Sequence, residues 1–133
     1  MEKVRVPVIA AINGLCLGAG NDFVTTCDVR ICTTGSRFSI KEVDLGLASD
    51  IGVHQRFQKI VANGSIAREL AFTGREFGAA DALKLGYVSQ VTNSNEECVA
   101  AALKLAAIIA SKSPVAVSAS KMSIVHSRDH TVQ

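Results

Sequence analysis

The arrangement that most constrains this chain lies near its start. Val6-Pro7-Val8-Ile9-Ala10-Ala11-Ile12 is apolar without alternation, which predicts a strand buried on both faces. Pro7 has no N–H to donate, so it belongs near the beginning of that strand or at an edge. Asn13-Gly14 ends the strand with a turn signal. Gly18-Ala19-Gly20 follows, then Asn21 to Cys27, where Phe23, Val24 and Cys27 recur at helical spacing. A second apolar run, Val29-Arg30-Ile31-Cys32-Thr33, reads as another strand. Strand, glycine turn, helix, strand is the crossover unit of an α/β fold.

Beyond it, Phe38-Ser39-Ile40 predicts a short strand and Lys41 to Ser49 an irregular stretch. Helices are expected over Ile51 to Val61 and Ser65 to Phe72, with Asn63-Gly64 between them. Ala79 to Leu85 predicts a short helix stopped by Gly86, and Tyr87-Val88-Ser89-Gln90-Val91 alternates as a strand. Glu96 to Ser111 predicts a long helix with Val99, Ala102, Leu103, Ala106 and Ala110 on one apolar face, and Glu96 and Glu97 at its favourable N-terminal end. Pro114 opens a last helix at the position where its missing N–H costs least. Helix should dominate the second half.

Length and composition remove several function classes. The 133 residues allow one domain, and 48% hydrophobic against 20% charged residues is the balance of a packed chain rather than a disordered one. The longest apolar stretch, Val6 to Ile12, is far short of the roughly 20 residues that a membrane span requires. Net charge is +2 and the basic residues are scattered singly, so no nucleic-acid partner is expected. Cys16, Cys27, Cys32 and Cys98 form no CxxC pair and no Cys/His cluster with zinc spacing, so no metal is expected. They read as small buried hydrophobes in a reducing compartment. Met1-Glu2-Lys3-Val4-Arg5 runs directly into the first strand, and the chain stops at His130-Thr131-Val132-Gln133 without a cap or tail. A piece of a longer protein is expected, with any targeting signal outside it or absent.

Chemistry is expected first at Gly18-Ala19-Gly20-Asn21-Asp22, between a buried strand and a helix. Small side chains let another group approach the backbone, and free N–H groups at a helix N-terminus stabilise negative charge. Position 23 is Phe, so the third glycine of a dinucleotide fingerprint is missing, and there is no P-loop pattern. An oxyanion suits the site better than a phosphate. The structural alternative is a tight turn with close helix–strand packing.

Three carboxylates follow, each with its own structural alternative. Asp22 in the first turn of a helix suits the helix dipole. Asp50, directly before Ile51, would serve as an N-cap. Glu42, beside Lys41 and Asp44, would be a solvated loop charge. The functional reading is that all three converge on one apolar pocket and provide an acid and a base together. His54 lies one helical turn beyond Asp50 and reads as structural. His126 and His130, in a terminal segment with Arg128 and Asp129, suit solvated or interface roles, and no GxSxG elbow occurs.

Val6 to Gly14, Gly18-Ala19-Gly20 and Cys27-Asp28 resemble the central segment of the enoyl-CoA hydratase/isomerase (crotonase) superfamily. The similarity continues through Phe72-Thr73-Gly74 and Ala79-Ala80-Asp81-Ala82 to Gly86-Tyr87-Val88. It implies a crotonase-type (ClpP/crotonase) α/β spiral, present in part over a single partial domain, residues 1–133, with a helical C-terminal region. The backbone N–H of Ala19 would form half of an oxyanion hole, with Gly18 and Gly20 on the substrate. Lys41-Glu42-Val43-Asp44-Leu45-Gly46-Leu47-Ala48-Ser49-Asp50 resembles the branch that isomerises dienoyl-CoA thioesters, whose acidic residues match Asp22, Glu42 and Asp50. A hydratase of the family resembles this chain at Glu42 and has Glu at position 22, but Gly at position 50, so the resemblance makes Asp50 the residue that separates the two activities.

The implied reaction turns a 3,5-dienoyl-CoA into a 2,4-dienoyl-CoA during fatty-acid oxidation. Asp50 would take a proton from C2, Glu42 deliver one to C6, and Asp22 position the other two. The resemblance further implies an acyl-CoA substrate with no separate cofactor, a homotrimer or homohexamer, and a mitochondrial or peroxisomal location. A 2-enoyl-CoA hydratase, a simple enoyl isomerase and a truncated non-catalytic copy are the alternatives. The family's first oxyanion donor and most CoA-binding loops precede the matched segment, so these residues alone are expected to be nearly inactive.

Overall fold

The computed structural model describes residues 1–131. Val132 and Gln133, part of the uncapped end noted above, lie outside the described residues. The crossover unit forms with one addition: β1 (Ile9–Ile12), β2 (Leu15–Leu17), α1 (Ala19–Thr25) and β3 (Val29–Thr33) follow in that order. β1 pairs in parallel with β3, Ile9 opposite Val29. Pro7 precedes the strand, where its missing donor costs nothing.

The expectation of a strand over Val6 to Ile12 buried on both faces is corrected. Val6 is 63% exposed and Ala11 is exposed too. β1 is the outer strand of a parallel sheet ordered β1-β3-β6, with β6 at Gln90–Thr92, so its far edge has no neighbour among the described residues. β2 was not foreseen. Gly14, at φ +79°, turns the chain out of the first sheet and into a second one, β2-β4-β5. There β4 (Arg37–Ser39) runs parallel to β2, and β5 (Phe77–Gly78) antiparallel to β4.

Between the sheets' later strands come a 3₁₀ turn (Lys41–Leu45), α2 (Val53–Ile60), α3 (Gly64–Thr73) and α4 (Ala79–Lys84). Asn63 caps α3, its Oδ1 accepting from the N–H groups of Ser65 and Ile66 at 2.9 and 3.3 Å. The alternating strand expected over Tyr87 to Val91 shrinks to β6. The N–H groups of Tyr87 and Val88 bond back to Ala82 O, and both side chains are buried. The Tyr87 ring closes an aromatic core with Phe38, Phe57 and Phe77, its centroid 5.3 Å from Phe38 and 5.2 Å from Phe57.

Two helices complete the chain, α5 (Asn95–Ala110) and α6 (Pro114–His126), bent by 111° at their junction. Ser94 and Ser113 cap them. The predicted face of α5 is corrected: Val99, Leu103, Ala106 and Ala110 are exposed, and Cys98 is the buried residue. Its thiol points at Ile31 O and Ile12 O, at 3.6 and 3.9 Å, which turns the other stripe outward. α6 is tied down by Lys121, whose Nζ donates to Asp28 Oδ2 at 2.8 Å and Val6 O at 2.9 Å. Among the described residues no single helix is long and apolar enough to cross a membrane.

Candidate active site

The glycine turn and Glu42 meet where β2 hands the chain to α1. Gly18 has φ +52°, which favours glycine, and a Cβ there would stand 3.0 Å from Glu42 Oε1, so the turn and the Glu42 carboxyl are in close contact. The Gly18 N–H donates to Ser39 O at 2.9 Å, and Gly18 O accepts from the N–H groups of Asn21 and Asp22 at 2.7 and 3.3 Å. Helix geometry leaves the first-turn N–H groups of Ala19 and Gly20 without an acceptor inside α1. A negative charge placed there is stabilised.

Asn21 holds this turn, a role that sequence reasoning missed. Its fully buried amide donates to Cys16 O at 2.9 Å and Ser39 O at 2.6 Å, and its Oδ1 accepts from the Tyr87 hydroxyl at 2.6 Å. One side chain thus joins β2, β4 and the segment after α4. Burial pushes the Tyr87 hydroxyl well above the ordinary tyrosine range, so it stays a donor. The available signal was an amide at the head of an apolar helix, which must find partners if buried.

The three carboxylates separate by environment. Asp22 is 3% exposed; its Oδ1 accepts the Val53 N–H at 2.7 Å, and the Ser49 hydroxyl lies 2.9 Å from Oδ2 and 3.2 Å from Oδ1. It therefore serves the first N–H of α2, which Gly52, the N-cap residue, has no side chain to reach. Glu42 is half-buried, and its Oε2 is buried without a hydrogen-bond partner. That corrects its reading as a solvated loop charge. Asp50 is exposed and caps nothing, because α2 starts at Val53 behind Gly52.

Glu42 opens into an apolar cleft of about 420 Å³, walled by Ile40, Ser49, Phe57, Ala71 and Phe72. His54 is on its lining. Asp22 sits behind Ser49, and Asp50 lies outside the lining, so the single pocket foreseen for all three carboxylates holds one of them directly. His126 and His130 are exposed and stack on each other with ring centroids 3.7 Å apart. All four cysteines are buried, and burial pushes the Cys16 and Cys32 thiols up to about 11. Chemically, a carboxyl oxygen free of partners, next to the glycine turn and on an apolar cleft, suits proton transfer; Gly18, Ala19 and Gly20 themselves are not on the cleft's lining.

The model of the enoyl-CoA hydratase/isomerase family matches residues 1–133. The mitochondrial delta(3,5)-delta(2,4)-dienoyl-CoA isomerase of Pongo abelii is 51% identical over 132 residues, covering 99% of this chain and 40% of that protein. The peroxisomal protein of that name from Arabidopsis thaliana is 44% identical, covering 100% of this chain and 48% of its own length. The crystal structure of an enoyl-CoA hydratase from Bacillus anthracis superposes with a TM-score of 0.92 at 33% identity, over 98% of this chain and 50% of that one. The chain thus spans half or less of the length of these three relatives. Its two alternating sheets and trailing helices are the crotonase fold, and with the match running from residue 1 to residue 133 the chain belongs to the enoyl-CoA hydratase/isomerase family.

Proposed function

We propose that this chain is one partial domain, residues 1–133, of an isomerase that converts 3,5-dienoyl-CoA into 2,4-dienoyl-CoA in fatty-acid oxidation. The observation that carries the reading is Glu42, with one buried carboxyl oxygen unpartnered at the head of α1. Relatives 44% to 51% identical that bear the dienoyl-CoA isomerase name support the substrate class.

In this reading Asp50 removes a proton from C2, and the electron pair moves into the thioester, whose oxygen meets the Ala19 N–H. Gly18 and Gly20 keep the approach to that N–H open. The dienolate then collapses with both double bonds shifted, and Glu42 delivers a proton to C6. One proton leaves and one is gained, so the isomerisation is balanced. Asp50, exposed and directly after the cleft-lining Ser49, is available to a substrate at the cleft's rim. Asp22 positions the other two. Coenzyme A is part of the substrate, and the reading assigns no separate cofactor and no metal.

Homotrimeric or homohexameric assembly and a mitochondrial or peroxisomal location are part of the same proposal. Relatives named for each compartment support the location. A second reading is a 2-enoyl-CoA hydratase with Asp22 and Glu42 activating water, favoured by Asp50 lying outside the cleft lining. Ultraviolet absorbance of the complete gene product given 3,5-dienoyl-CoA decides. Growth of the conjugated 2,4-dienoyl absorbance is expected. No growth, with loss of absorbance from a 2-enoyl-CoA, would establish the hydratase instead.

A further inference from the structure

We infer that Ser49 is a positioning residue for the proposed isomerisation, acting through a clip on Asp22 that holds Asp50 in place. The inference rests on the isomerase reading above. The Leu47 N–H still bonds to Glu42 O at 3.1 Å, and regular structure resumes only at Val53. The irregular segment between them carries Asp50. Among the described residues, two side-chain bonds anchor it: the Ser49 hydroxyl on Asp22, and Arg56 Nη1 donating to Ile51 O at 3.0 Å.

The Asp22 end of that clip is rigid. Asp22 stands on α1 next to Asn21, whose three buried hydrogen bonds lock the helix to both neighbouring strands and to Tyr87. From there one buried carboxylate grips the segment on both sides of Asp50, at the Ser49 hydroxyl before it and at the Val53 N–H after it. Occupied in this way, Asp22 serves geometry rather than proton transfer. Ser49 also lines the cleft, so its hydroxyl links the cleft wall, the anchor and the adjacent Asp50. Misplacing a reacting group by about 1 Å can cost roughly a hundredfold in rate, which is the leverage such a clip has.

The test uses the complete gene product with Ser49→Ala, Ser49→Thr, Asp50→Asn and the double variant Ser49→Ala/Asp50→Asn. Ser49→Ala should lower kcat about tenfold with KM changed by less than about twofold, and Ser49→Thr should restore most of it, since it keeps the hydroxyl. In the Asp50→Asn background Ser49→Ala should change kcat by less than about twofold, because its effect runs through Asp50. Amide hydrogen exchange at Val53 should quicken in Ser49→Ala while β3 amides keep their protection. Unchanged kcat in Ser49→Ala, or the same loss in both backgrounds, would overturn the clip. A parent protein that does not turn over 3,5-dienoyl-CoA defeats the isomerase reading alone. Val53 exchange then decides the clip by itself: faster exchange upholds it, and unchanged exchange overturns it.

Discussion

Phe38 and Leu103 are both large apolar side chains on regular elements, yet Phe38 is fully buried and Leu103 is 65% exposed. The contrast runs through the molecule. From β1 to β6 the chain surrounds an aromatic core tied together by buried hydrogen bonds, with Asn21 joining two strands to Tyr87. In α5 and α6 the buried positions are Cys98 and Lys121, while Leu103, Val115, Met122 and Ile124 face outward. The candidate site lies wholly in the first region. Its geometry therefore rests on contacts made within this chain, whereas α5 and α6 leave large apolar side chains exposed.

Truncation inside each region gives the largest contrast. Phe38→Ala should cost about 3–5 kcal/mol of stability, and Met122→Ala on α6 no more than about 0.5 kcal/mol. Denaturant titration of the two variants measures both. Equal losses would abolish the distinction. The 133 residues alone should be oligomeric or aggregation-prone, because β1 ends a sheet and α5–α6 expose apolar side chains. If the second oxyanion donor implied by the family resemblance lies outside them, they should also turn over about 10²–10³ times more slowly than the full-length protein proposed above. Light scattering and the dienoyl-CoA assay, run on both proteins, check this.

A smaller effect sharpens the role of Asn21. Asn21→Ala removes the side-chain bonds to Cys16 O and Ser39 O and leaves the Tyr87 hydroxyl without its acceptor, and should cost about 1–3 kcal/mol, with the glycine turn loosened. Thermal unfolding with amide exchange at α1 reads it. Another effect is graded and confined to alkaline pH. The ordinary thiol value is 9.0, but burial holds Cys16 and Cys32 protonated up to about 11, with Cys98 adding to the effect on Cys32. Above about pH 9 the unfolded chain releases these protons and the folded chain keeps them, so stability should fall as pH rises from about 9 to about 11. Replacing both with Ala should make that limb shallower, with the remainder carried by Cys27 and Tyr87, which burial also holds protonated.

Particular residues show how much was legible in advance. β3 coincides with its predicted range because an apolar β-branched run between turn signals is a local property. β2 escapes notice since Leu15-Cys16-Leu17 is too short to show a period, and its partner β4 is remote in sequence. The helical character of α5 was readable, but its inward stripe was not, as an almost wholly apolar helix offers several faces and contact with Ile12 and Ile31 selects one. At the site, the glycine turn and the three carboxylates stood out by type and spacing. The isolation of Glu42 Oε2 and the grip of Asp22 on Val53 did not, because each depends on elements brought together by the fold.

The most direct test of the account compares Glu42→Gln with Asp50→Asn in the complete gene product, using 3,5-dienoyl-CoA and ultraviolet detection of the conjugated product. Glu42 is assigned delivery of the proton at C6 and Asp50 its removal at C2, so each substitution should lower kcat by at least about a hundredfold. Asp50 is exposed and bonds to no neighbour among the described residues, so its variant should keep the parent's melting temperature. Near-normal turnover by Glu42→Gln would contradict the assignment of the unpartnered carboxyl beside Gly18 as the proton-transfer group.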